Sequence, residues 1–211
     1  QKKLLKDNGV VFNEFCDTYE DYINYKKQVN GIRKTRNAIR EKNINHETAV
    51  FMVYKAEYWD MLDGLFREYE KRKEQEIVVI PLRYYYKNID GTVEECASDA
   101  VLPEYVQKYI NSDYNIEEEN PETIIIQNPY DGYNGSVTIH PRYYSKNLAI
   151  HTNKLIYMPY FVTEEINPMD MRAYISMDAY VTMPGVVYAD EVMLQSEANK
   201  ELYIKKLTEF F

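Results

Sequence analysis

Five short apolar runs, separated by stretches of helical periodicity, constrain this chain more than any other feature. Ala49-Val50-Phe51-Met52-Val53-Tyr54 and Ile77-Val78-Val79-Ile80-Pro81-Leu82 are continuous, rich in β-branched residues, and short for helices. Thr123-Ile124-Ile125-Ile126-Gln127, Lys154-Leu155-Ile156-Tyr157-Met158 and Glu191-Val192-Met193-Leu194-Gln195 repeat the pattern. Strands of this kind belong in a sheet buried on both faces. Between the first two runs, Trp59, Leu62, Leu65, Phe66 and Tyr69 fall on one helical face, which gives a β-α-β unit long enough for a right-handed crossover. Helices are expected near 104–110, over 141–151 and 168–178 with proline in the first turn, and after the capping Ser196. Residues 180–183 read as a short strand. The expected fold is α/β, a parallel doubly wound Rossmann-like sheet.

Ahead of the first run, Phe12, Phe15, Tyr19, Tyr22, Val29, Ile32 and Ile39 recur at helical steps among charged residues. They predict an amphipathic helical arm with a possible break at Gly31, so the chain divides into an arm at 1–45 and a sheet domain at 46–211. The arm needs a surface to cover its aromatic stripe: the sheet domain, a second copy or another domain.

Charge excludes some classes of function. The net charge is −9, and residues 89–122 hold ten acids against one lysine, whereas residues 1–44 hold ten Lys/Arg against six acids. An acidic chain is poorly suited to nucleic acid, whose binding depends on neutralising phosphates. Arg33, Lys34, Arg36, Arg40 and Lys42 are either a solvated helix face or a local contact with an anionic membrane surface. Cys16 and Cys96, the only cysteines, fit a reducing compartment. No run reaches the roughly 18 apolar residues of a membrane span. The three histidines lack metal-site spacing, so neither metal nor cofactor is expected. Glycine-rich phosphate loops and nucleophile elbows are absent.

In an open α/β sheet, ligands bind outside the carboxyl ends of the strands. That rule selects Lys55, Trp59 and Asp60 after the first strand, and Arg83 and Tyr84 after the second. It selects Asn128, Tyr130 and Asp131 after the third, and Tyr160 after the fourth. Lys55 is either a phosphate contact or an ordinary solvated lysine. Trp59, spaced with Leu62 and Phe66, also reads as core. Asp60 equally suits the electrostatics of a helix start. His140 precedes the Pro141 helix; it is either a general base or a side chain ordering its own loop.

The blocks Val53-Tyr54-Lys55-Ala56-Glu57-Tyr58-Trp59-Asp60-Met61-Leu62, Val79-Ile80-Pro81-Leu82-Arg83-Tyr84-Tyr85 and Gln127-Asn128-Pro129-Tyr130-Asp131 occur in order. His140-Pro141-Arg142-Tyr143-Tyr144-Ser145-Lys146 and Leu155-Ile156-Tyr157-Met158-Pro159-Tyr160-Phe161 follow. Together they resemble the amino-terminal half of proteins related to the bacterial CDP-glycerol glycerophosphotransferases, the teichoic-acid polymerase family. The resemblance covers roughly residues 49–211. It implies one half of a GT-B architecture, in a cytoplasmic enzyme peripheral to the inner membrane face. Such an enzyme moves glycerol phosphate from CDP-glycerol to a polyol-phosphate acceptor. The donor would be held chiefly by a carboxy-terminal GT-B domain beyond Phe211, leaving this chain alone inactive, with His140 as the candidate base. The alternatives are a non-catalytic module binding a nucleotide or surface polymer, and half of another GT-B glycosyltransferase using a different nucleotide-activated donor.

Overall fold

The computed structural model describes residues 19–39, 45–96, 100–167 and 169–211. Phe12, Phe15, Cys16, Arg40, Lys42 and Pro168 lie outside them, as do the side chains of Tyr19, Tyr22, Arg33, Lys34, Arg36, Ile39 and His46.

Five parallel strands form the main sheet: β1 (Asn45–Val53), β2 (Glu76–Pro81), β5 (Pro121–Ile126), β7 (Lys154–Tyr157) and β8 (Glu191–Val192), in the order β2-β1-β5-β7-β8. Counted along the parallel strands this is 2-1-3-4-5, an order that reverses between β1 and β5. Alternation along β1 sends Val50 and Met52 to one apolar core and Ala49, Phe51 and Val53 to the other. Both faces are therefore covered, which accounts for the unbroken apolar runs.

Helix α1 (Tyr19–Ile39) runs continuously through Gly31. It buries Tyr25 and Val29, one turn apart, against the first face, and the Tyr25 hydroxyl donates to the Thr182 carbonyl at 2.8 Å. Tyr25, Val29 and Ile32 of α1 thus share one core with the sheet. Helix α2 (Asp60–Arg72) covers the other face through Leu62 and Phe66, and ends at Lys73 in the left-handed conformation. Two short helices follow, α3 (Glu104–Gln107) and α4 (Ile116–Glu119). Between them Ile110 bridges to Val79 alongside β2.

Several expectations change. The 141–151 helix is a 3₁₀ turn (Pro141–Tyr143) followed by the four-residue α5 (Ser145–Leu148). Residues 180–183 are not a strand. Helix α6 (Met171–Val181) begins three residues later than predicted, because Asp170 caps it by accepting from Arg172 and Ala173 N–H groups. It buries Met177 and Val181 at i, i+4 spacing, and α7 (Pro184–Val187) follows directly. The last strand shortens to Glu191–Val192, and α8 (Glu197–Phe210) starts at the predicted Ser196 cap.

The sequence reading also lacks a second sheet. Strands β3 (Tyr84–Lys87), β4 (Val93–Glu95) and β6 (Val137–Ile139) pair antiparallel in the order β4-β3-β6, beyond the carboxyl end of β2. The β3–β4 hairpin turns at Asp90-Gly91, where Gly91 takes φ +84. Among the described residues no helix is long and apolar enough to cross a membrane.

Candidate functional site

The parallel strands bring the segments after β1, β2, β5 and β7 to one edge, and the antiparallel sheet walls that edge on the β2 side. After β1, Tyr54 and Lys55 lead into a 3₁₀ turn (Ala56–Tyr58), closed by the Tyr58 N–H donating to the Lys55 carbonyl at 3.1 Å. After β2, Leu82 continues the pairing by donating to the Val53 carbonyl at 2.8 Å, and Arg83 stands at the start of the hairpin.

A cavity of about 320 Å³ lies between these two segments, with Lys55, Glu57, Arg83, Tyr84, Glu95 and Cys96 in its lining. The Lys55 ammonium sits over aromatic faces, 4.4 Å from the ring centroid of Tyr84, 5.5 Å from Tyr54 and 5.9 Å from Tyr58. Cation–π contact holds it there without neutralising it, which leaves its charge for an anion. Arg83 is 75% exposed and lies 3.6 Å from Glu95, a surface pair of small energetic weight. Behind Lys55, Tyr58 stacks on Tyr160 at 4.8 Å, and Tyr54 leans on both Tyr84 and Tyr160. Burial raises the phenols of Tyr54, Tyr84 and Tyr160, so all three stay neutral hydroxyls.

The edge therefore brings together Lys55, Arg83 and Tyr84, with Tyr160 and Tyr130 in the aromatic wall behind, their hydroxyls 3.5 Å apart. The other candidates point elsewhere. Trp59 is 2% exposed; it packs on Phe66 in the core and donates to the Tyr105 hydroxyl at 2.9 Å. Asp60 is exposed in the first turn of α2, where a carboxylate offsets the helix dipole. Asn128 is buried, and its side-chain oxygen accepts from the Tyr130 N–H at 3.1 Å in an Asx turn. Asp131, buried with φ +50, accepts from the N–H groups of Ser145 and Lys146 at the start of α5. Burial pushes its carboxyl up to about 7 against the pull of those donors. The Asn128 oxygen and the Asp131 carboxyl thus shape the loop.

His140 is exposed beside Ile139, which pairs with Tyr84. Its Nδ1 accepts from the Arg142 N–H at 3.2 Å and caps the 3₁₀ turn. A neutral imidazole accepting at Nδ1 carries its proton on Nε2, so its outward nitrogen is a donor in this arrangement.

Three residues that sequence reasoning passed over complete the site. Gln127, fully buried, bonds both sides of the Lys55 turn: Tyr54 N–H donates to its oxygen at 3.2 Å, and its amide nitrogen donates to the Tyr58 carbonyl at 3.1 Å. Lys87 crosses from the hairpin to donate to the carbonyls of Gly132 and Asn134 at 2.6 and 2.7 Å. Gly185 lies against Pro129, where a Cβ would come within 2.6 Å of the Pro129 Cα, and its N–H donates to the Pro129 carbonyl at 2.8 Å. Only Gly185 carried a signal, since a glycine opening an apolar helix hints at close approach. Among the described residues no group of three or more His, Cys, Asp or Glu is placed to hold a metal ion. In comparisons with known proteins, no family model, curated protein or solved structure matches the chain.

Proposed function

We propose that this chain is the acceptor-side domain of a GT-B transferase of the glycerophosphotransferase kind, holding a polyol-phosphate chain beside a donor domain that carries CDP-glycerol. The acceptor hydroxyl oxygen attacks the phosphorus bearing the glycerol, the bond to CMP breaks, CMP leaves, and the hydroxyl proton passes to a base. Work on such a polymer would take place at the cytoplasmic face of the membrane. The observation carrying this reading is the ammonium of Lys55, set on three tyrosine rings in a cavity wide enough for a phosphodiester, with Arg83 at the rim. Neutral tyrosine hydroxyls around it suit the hydroxyls of a polyol.

Titration of the chain with glycerophosphoglycerol, a single phosphodiester unit, tests this. The diester should bind more tightly than CDP-glycerol, and Lys55→Met should weaken it at least about tenfold. Tighter binding of CDP-glycerol would move the donor site into this domain. Equal binding by Lys55→Met would remove Lys55 from the reading. A second reading, a binding module without chemistry, draws on His140, whose Nδ1 is already engaged by the Arg142 N–H.

A further inference from the structure

The crevice where strand order reverses, between β1 and β5, is where an open α/β sheet usually receives its ligand. Here Gln127, which directly follows β5, fills it and has no exposed surface. Its two hydrogen bonds reach Tyr54 and Tyr58, the two flanks of the turn that carries Lys55. One side chain thereby spans the reversal point and holds both ends of the segment that presents the cation. Lys55 itself is extended, with φ −145 and ψ 138, and relies on its neighbours for its direction.

We infer that Gln127 is a positioning residue that sets the Lys55 ammonium over the rings of Tyr84, Tyr54 and Tyr58, so that the anion is received in the β1–β2 cavity and not in the β1–β5 crevice. This rests on the reading of that cavity as a phosphate site. The chemistry is restrictive. The position requires one group that accepts from an N–H and donates to a carbonyl without bringing charge into a closed crevice. An amide does this, and so does a protonated carboxylic acid. An ionised carboxylate accepts only and opposes the Tyr58 carbonyl; a thioether supplies no donor.

The test compares wild type, Gln127→Met, Gln127→Glu and Lys55→Met, with glycerophosphoglycerol as probe because a phosphodiester keeps one charge from pH 5 to 9. Two readouts are followed by NMR: diester affinity, and the shielding of the Lys55 side-chain methylene protons by the tyrosine rings. Gln127→Met should lose the shielding and bind at least about tenfold more weakly. Gln127→Glu should bind like wild type at low pH, while its acid is protonated, and lose both affinity and shielding as that acid ionises, a loss measured against the wild-type profile over the same range. Should Gln127→Met prove too unstable to fold, the Gln127→Glu profile decides alone. Retained shielding in Gln127→Met, or unchanged binding and shielding in Gln127→Glu once its acid has ionised, overturns the inference. If wild type does not bind the diester, or Lys55→Met binds it unchanged, the functional reading fails, and the shielding still decides the role of Gln127.

Discussion

The Asp131 carboxylate stands 2.6 Å from the backbone nitrogen of Ser145, a bond that joins the loop after β5 to the first turn of α5 across 14 residues. It is made in a buried site, and the two facts pull in opposite directions. Donation from Ser145 and Lys146 favours the anion, while burial disfavours it more strongly and leaves the group near pH 7.

Asp131 should therefore make stability depend on pH in an unusual direction. Its folded pKa of about 7 lies above the unfolded value near 3.9, so between these limits the native state holds the extra proton. Stability falls as pH rises through that window, with a slope approaching about 1.4 kcal/mol per unit, and is flat on either side. Asp131→Asn keeps an acceptor for the Ser145 N–H and should abolish this component. Urea unfolding of both proteins at pH 4.5 and 7.5 measures it; parallel profiles would refute the assignment.

Lys206 is buried on α8 with its ammonium 2.6 Å from Asp178 on α6 and 3.7 Å above the Tyr174 ring. Removing the two partners should have unequal effects. Asp178→Ala leaves a buried cation and should cost roughly 2–4 kcal/mol, moderated because 32% of the Asp178 side chain is open to water. Lys206→Met leaves a carboxylate that water reaches and an apolar chain in an apolar site, for a loss of under about 1.5 kcal/mol. Thermal unfolding of both variants provides the comparison, and equal losses would mean that the pair acts only through its mutual attraction.

For His140 the capping bond predicts a contrast between two substitutions. His140→Ala should lose about 1 kcal/mol, and His140→Asn, which can accept from the Arg142 N–H, should lose little. In a transferase comprising both domains, His140→Asn should then keep most of the turnover. A fall of about 10²-fold or more in both variants would instead identify the imidazole as a base that leaves its cap during the reaction.

What could be read from the sequence follows from burial. Strands β1, β2, β5 and β7 announce themselves because burial on both faces demands unbroken apolar runs, and their shared direction places Lys55, Arg83, Asn128, Asp131 and Tyr160 along one edge. The second sheet carries no such mark. Its strands hold three or four residues, Tyr86 and Val93 are exposed, and its decisive pairing, Tyr84 with Ile139, joins residues 55 positions apart. Val181-Thr182-Met183 imitates a strand by β-branching, but packing of Met177 and Val181 carries α6 through Val181, and Thr182 and Met183 cap the helices on either side. Spacing places Lys55 at the carboxyl edge, yet it cannot reveal whether a polar side chain turns outward. Asn128 and Asp131 turn inward to satisfy their own loop, and Gln127, with no periodic signature, does so most completely.

The close approach of Gly185 to Pro129 bears on how this edge can change over evolutionary time. Any side chain at 185 would drive α7 into the loop after β5, and Asp131 fastens the same loop to α5, so this wall is frozen by two independent constraints. The opposite wall, the β3–β4 hairpin, holds the cavity with the buried Tyr84 and Cys96, but its rim pair Arg83–Glu95 and its tip at Asp90-Gly91 are exposed. Substitutions and length changes there leave the core intact. Divergence in ligand preference among descendants of this domain should accumulate in the hairpin, with the Pro129 side inherited unchanged.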